Sequence, residues 1–257
     1  MIPLKTAFVG NGNVARTLAP ALSALPSVNL RWIVARSGLD VPVADAVTIL
    51  HSAREIPRDA DLIVISVKDD AVNAVIEEVG ERDAIIAHTS GSVSLPERDT
   101  ELTRYGVFYP LQTFSRTKIA NLTDVPFLIE GSAPQVVEVL ADIARALGGR
   151  PVAADSALRG RVHLAAVFAC NFVNSMLATA EDVLAADGLD LRLLRPLLRE
   201  TLNKAMTCGA AVSQTGPARR GDVGIEHAHM RMLEGSPAAV YKLITRTIAE
   251  RYEQNSI

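Results

Sequence analysis

At 257 residues, 49% of them apolar, the chain is long enough for one large domain or two modest ones, each with its own core. A formal net charge of -3, no basic run beyond Arg219-Arg220 and 4% aromatic residues give no electrostatic or stacking basis for nucleic-acid binding. Two cysteines at no metal spacing, no signal-peptide pattern and no uncharged apolar stretch of about 18 residues argue against a disulfide scaffold, secretion and a membrane span, so a cytoplasmic protein is expected.

Short β-rich runs alternate with helical patterns through the first half. Strands are predicted at Thr6–Gly10, Leu30–Ala35, Val47–Leu50, Leu62–Val67, Ala84–His88, Gly106–Tyr109 and Phe127–Ile129, with a last short one at Pro151–Ala154. Several are apolar almost throughout, as strands covered on both faces should be. Helical patterns fall at Val14–Leu25, Asp70–Val79 and Pro134–Leu147. Such alternation predicts a parallel sheet with right-handed crossovers. After Asp155 only helical patterns follow: 156–186, 190–212, 222–234 and 236–253. The most apolar of them, 164–180, is expected to be a buried helix. The predicted domains are 1–154, α/β, and 155–257, all-helical.

The turn after the first strand reads Gly10-Asn11-Gly12-Asn13-Val14-Ala15. It matches the dinucleotide fingerprint, with alanine in the third place. The first glycine permits the tight turn, the second lets backbone approach a pyrophosphate, and the small third residue packs the helix on the sheet. The helix start then offers free amides and partial positive charge. The expected fold is therefore a Rossmann-type doubly wound sheet followed by a smaller all-α domain.

Arg36 and Ser37 end the second strand, and no acid appears before Asp40. An NAD enzyme places Asp or Glu there for the ribose hydroxyls; a guanidinium and a hydroxyl suit a 2′-phosphate, so NADP is the expected cofactor. Ser66, Val67 and Lys68 end the fourth strand and should line the cofactor. Asp69 and Asp70 are read as caps of the next helix. His88, Thr89 and Ser90 end the fifth strand and should reach the nicotinamide half, with Gly91 relieving crowding.

Four segments together, HTSGS (88–92), FYPLQTFS (108–115), HLAAVFACNFVN (163–174) and TGPARRGD (215–222), resemble a bacterial family in which a Rossmann-like domain precedes a helical domain of unknown function. That family lies within the 6-phosphogluconate-dehydrogenase-like superfamily, with pyrroline-5-carboxylate reductase and β-hydroxyacid dehydrogenases as distant kin. The resemblance covers almost the whole chain and implies the fold and an NADP-dependent oxidoreductase. It implies no substrate. Family members often carry Thr three residues after the Asp of the last motif; this chain has Ile225.

In the superfamily the first helix of the second domain presents a catalytic Lys, with an Asn one turn later. No Lys stands there in this chain. His163, Val167, Asn171 and Asn174 are spaced by four, four and three residues, one face of an α-helix. His163 is read as general acid or base and Asn171 as orienting the substrate, with Asn174 beside it; the other reading is a structural histidine with interhelical amide bonds. Ser90 and Lys68 complete the candidate catalytic set. Gln112 is a candidate substrate contact or a loop residue. Arg220 is a candidate anion clamp, in its own or a partner's cleft, or an ion-pair partner of Asp222, whose default role is to cap the next helix. His51 is assigned nothing. No metal site is expected.

The leading expectation is hydride transfer between nicotinamide and the carbonyl or imine carbon of a small, polar, anionic substrate. The alternative is an NADP-binding sensor without turnover. A homodimer through the helical domain is expected, because 164–180 is too apolar to stay exposed.

Overall fold

The computed structural model describes residues 2–36, 46–96 and 103–253. Eight strands form one sheet: β1 Leu4–Val9, β2 Val28–Val34, β3 Thr48–Leu50, β4 Leu62–Ile65, β5 Ala84–His88, β6 Thr103–Pro110, β7 Pro126–Gly131 and β8 Arg150–Ala153. The order is β3-β2-β1-β4-β5-β6-β7-β8, with α1 Asn13–Ser23, α2 Val72–Val79 and α3 Pro134–Ala146 between strands. The expected doubly wound α/β class is what the chain adopts.

Alternation along the central strands explains their unbroken apolar sequence. Phe8 of β1 and Leu62 and Val64 of β4 join one core cluster, with Leu18 and Leu22 of α1 and Leu140 of α3. Ala7, Val9, Ile63 and Ile65 face the other way, into a cluster with Val72, Val75 and Ile76 of α2. Both faces need apolar cover because successive side chains point to opposite sides. Each fully buried Leu or Phe contributes about 1.5–3 kcal/mol.

One expectation of the sheet is corrected. β6 and β7 pair antiparallel, Val107 opposite Glu130 and Tyr109 opposite Leu128. The connection 111–125 contains no helix, so the chain turns back along the sheet edge instead of crossing over it.

The last helices are α4 Ser156–Ala166, α5 Val173–Ala185, α6 Arg195–Cys208, α7 Pro217–Arg220, α8 Val223–Met230 and α9 Gly235–Glu253. Asp155 caps α4 by accepting from the Leu158 N–H at 2.7 Å. A π segment, Val167–Phe172, joins α4 to α5, so 156–185 is one helical run. Packing divides the chain into two compact units between Asn171 and Phe172. In the second, His229 Nδ1 lies 2.9 Å from the Tyr241 hydroxyl and ties α8 to α9. The helix expected over 222–234 is α8, which stops at Met230; the short α7 precedes it and ends at Gly221, with φ 71°.

The helix over 164–180 is not buried within this chain. Leu164, Phe168 and Phe172 are 58%, 62% and 49% exposed. The run 156–185 is also long and apolar enough to cross a membrane by length and composition, at a mean hydropathy of 1.4 in its most apolar window, contrary to the sequence expectation.

Candidate functional site

At the carboxyl ends of β1, β2 and β4 lies a cavity of about 570 Å³. Gly10, Asn11, Gly12, Asn13, Val14, Arg36, Ser66, Val67 and Lys68, all expected to bind cofactor, line it. The turn is built as the fingerprint requires. Gly10 has φ 133°, and a Cβ there would stand 2.0 Å from the Ser66 carbonyl oxygen. Gly12 is different: a Cβ would meet nothing within 4 Å, so its bare backbone faces open space. Gly12 precedes α1 with no side-chain cap and no acid in the first turn, so the leading amides stay available to an anion. Ala15 is fully buried and packs α1 on the sheet instead of lining the cavity. These features fit a pyrophosphate group. Ser37 lies outside the described residues.

A second cluster forms where β5 ends. His88 is 1% exposed, and its Nδ1 accepts from the Ser90 N–H at 3.3 Å. Burial, followed by the Arg159 charge, holds its pKa down to about 4. His88 is therefore neutral and part of the core. Ser90 is also buried; its Oγ accepts from the N–H groups of Ser92 and Val93 at 3.1 and 3.0 Å, which closes the loop. Thr89 Oγ1 donates to the Ile65 carbonyl at 3.3 Å. That loop packs directly on His163. A Cβ at Gly91 would lie 2.6 Å from His163 Nδ1 and 2.9 Å from Tyr109 Cζ. The Tyr109 hydroxyl is 3.0 Å from the same Nδ1, and burial, then the Asp69 charge, raises its pKa. Gly91, Tyr109 and His163 thus form one contact set beside the β5 loop.

Asp69 does not cap α2, and neither does Asp70. The residue preceding α2 is Ala71, with no side-chain cap, and the Asp69 carboxylate accepts from Ser92 Oγ at 2.5 Å. Asp69 instead bridges the β4 and β5 loops.

The remaining predicted residues are spread out. Asn171 and Asn174 are exposed, so the face expected to be buried is open in the single chain. The π segment also changes the angular step between 167 and 171, so four-residue spacing there does not carry the α-helical register. The Gln112 side-chain oxygen accepts from the Thr113 N–H at 2.8 Å, within its own loop. Arg220 and Asn174 belong to the second unit. There Arg220 Nη2 pairs with Asp222 at 2.6 Å, and Asp222, so engaged, makes no side-chain cap to α8. No group of metal-binding side chains occurs among the described residues.

A domain family described as "Domain of unknown function (DUF2520)" matches residues 125–248, from β7 into α9. A structure from Bacteroides fragilis, solved as that of a candidate NADP oxidoreductase, is 33% identical, covers 96% of this chain and is itself covered over 98%, with a TM-score of 0.87. The chain belongs to this DUF2520 family. Plasmodium falciparum pyrroline carboxylate reductase, solved with NADP bound, shares the fold at 14% identity and a TM-score of 0.59, over 99% of this chain and 98% of that one. So does Aspergillus terreus reductive aminase, solved with NADPH and ethyl levulinate, at 13% identity and a TM-score of 0.67, over 99% and 95%. No curated protein matches the sequence.

Three residues of this DUF2520 chain escaped the sequence reading. Tyr109 sits on His163, yet in sequence it is only a strand-end aromatic. Arg159 is fully buried and pairs with Glu130 of β7, where the sequence shows an ordinary helix charge. His51 lines the cavity from the end of β3, and only strand register brings it there.

Proposed function

We propose that this DUF2520 protein is an NADP-dependent oxidoreductase acting on the carbonyl or imine carbon of a small, polar, anionic substrate. The observation that carries the reading is the Gly10–Gly12 turn: one glycine pressed on the Ser66 carbonyl, the next open to a cavity that reaches Arg36. The B. fragilis relative, a candidate NADP oxidoreductase, supports it. The cofactor, when bound, supplies or receives the hydride.

In this reading residues 1–154 bind the nucleotide and 155–257 bind substrate and a second copy. The α1 amides hold the pyrophosphate and Arg36 the 2′-phosphate. Lys68 and the 88–90 loop flank the nicotinamide half. His163 exchanges a proton with the substrate heteroatom through its ring, and Tyr109 holds Nδ1 in place. Asn171, in the same unit as His163, orients the substrate. The exposed apolar face of α4 and α5 is covered by a partner in a cytoplasmic homodimer.

The test is a screen of purified protein with NADPH against keto acids, aldehydes and cyclic imines, beside His163→Ala. Substrate-dependent NADPH oxidation, reduced about 100-fold in the variant, is the expected result. Tight NADPH binding with no turnover anywhere would favour a sensor, the reading to which the lack of a lysine in 156–185 points.

A further inference from the structure

Arg36 follows β2, His51 and Ser52 follow β3, and all three line the cavity. β2 and β3 run parallel in the register Trp32–Thr48, Ile33–Ile49 and Val34–Leu50. The Ala35 N–H continues the ladder to the Leu50 carbonyl at 2.9 Å. Carried one step beyond the strand ends the register sets Ala35 beside His51, and a second step sets Arg36 beside Ser52, where paired strands run about 4.8 Å apart. Arg36, His51 and Ser52 all line the same cavity.

Their donors are not used up. Neither the Arg36 guanidinium nor the His51 imidazole makes a hydrogen bond or ion pair among the described residues. The nearby acid on the β3 side is engaged locally, since Glu55 accepts from the His51 backbone N–H at 3.3 Å. Ser52 Oγ accepts from the Arg54 N–H at 3.2 Å, which leaves its own O–H free to donate. Glu78 of α2 is the carboxylate that lines this cavity. A guanidinium, an imidazole and a hydroxyl with open donors, lining one cavity from two adjacent strand ends, match a phosphomonoester bearing about -1.5 to -2 charge.

We propose that His51 is a specificity-determining residue: with Ser52 it completes the site that Arg36 begins for the adenosine 2′-phosphate, and so sets the preference for NADP(H) over NAD(H). The inference rests on the proposed cofactor role of the cavity. It adds that the discriminating contacts come from β3 as well as from β2. His51 contributes a donor to the phosphate that NADH gives no partner.

The experiment is isothermal titration calorimetry of the full-length protein with NADPH and with NADH, in wild type, His51→Ala and His51→Arg. His51 is exposed, so both variants should fold, and thermal melting checks this. His51→Ala is expected to weaken NADPH about tenfold and to leave NADH within about twofold, the loss of one charge-assisted bond. His51→Arg should restore the NADPH preference. Unchanged NADPH affinity in His51→Ala, or equal weakening of both dinucleotides, overturns the inference while leaving the cofactor reading intact. Wild-type protein that binds neither dinucleotide overturns the cofactor reading itself and the inference with it.

Discussion

The Tyr109 hydroxyl lies 3.0 Å from His163 Nδ1, with the two rings edge-on at 5.9 Å. A strand end and a helix fifty-four residues later thus share one hydrogen bond. The raised Tyr109 pKa keeps the phenol protonated, able to donate to a neutral imidazole or accept from an imidazolium. In either state Nδ1 is held, and Nε2 is the ring nitrogen left to exchange a proton. Tyr109→Phe removes that hold and nothing else. It should cost about 1 kcal/mol in urea denaturation, leave NADPH affinity unchanged in calorimetry, and lower turnover about tenfold or more on any substrate the screen finds. Weakened NADPH binding would place Tyr109 on the nucleotide instead.

The two fingerprint glycines should fail in different ways. Gly10→Ala puts a Cβ on the Ser66 carbonyl and demands φ 133° of a residue with a side chain, so the β1–α1 turn must move. Gly12 has φ -88° and ψ -170°, ordinary for any residue, and open space beyond it. Gly12→Ala should therefore fold with its stability changed by less than about 0.5 kcal/mol. It should still lose NADPH, because the methyl group occupies the place of the pyrophosphate. Gly10→Ala should lose several kcal/mol of stability. Melting curves paired with NADPH titrations separate the two, and a Gly12→Ala that binds normally would remove the pyrophosphate from this turn.

Much of the α/β unit was readable because its signals are local. Strands buried on both faces must be apolar almost throughout, as β4 is and β5 is up to His88, and the Gly10 turn announces its own geometry. The antiparallel β7 was not readable, since pairing direction depends on where a connection lands and Pro126–Gly131 reads the same either way. Asp222 shows the limit of capping rules: its carboxylate had two partners in reach and took Arg220. Arg159 reads as a solvated charge until Glu130, twenty-nine residues earlier, is placed beside it by the sheet. The π segment VFACNF holds no glycine or proline to announce it.

Stability should fall between about pH 6.5 and pH 4 through His88. Its folded pKa is depressed from 6.5 to about 4, chiefly by burial and next by Arg159. Over that interval the unfolded chain takes up a proton that the folded chain refuses, so stability rises with pH and is fully present above about 6.5. The loss on acidification approaches about 3 kcal/mol, at about 1.4 kcal/mol per pH unit. Denaturation midpoints of wild type and His88→Asn at pH 7.5 and 4.5 isolate this group from other titrations. The variant should lose less on acidification, and parallel losses would clear His88 of the effect.

The Arg159–Glu130 pair should respond asymmetrically to removal of its two partners. Arg159 is 1% exposed at its side chain and Glu130 19%. The guanidinium donates to Glu130, to the Val93 carbonyl in the β5 loop and to Ser156 Oγ, so it ties α4 to two segments of the sheet. Without Arg159, the Glu130 carboxylate keeps the Ser156 hydroxyl at 2.9 Å and some access to water. Without Glu130, the guanidinium has no water to turn to. Breaking a buried pair from one side costs about 3–5 kcal/mol, the uncompensated charge being the larger part. Glu130→Leu should therefore destabilise more than Arg159→Met, and the double variant should recover part of the loss. Guanidinium denaturation of the three proteins measures the order; a larger loss in Arg159→Met would mean that the Val93 and Ser156 contacts, not the ion pair, hold α4 in place.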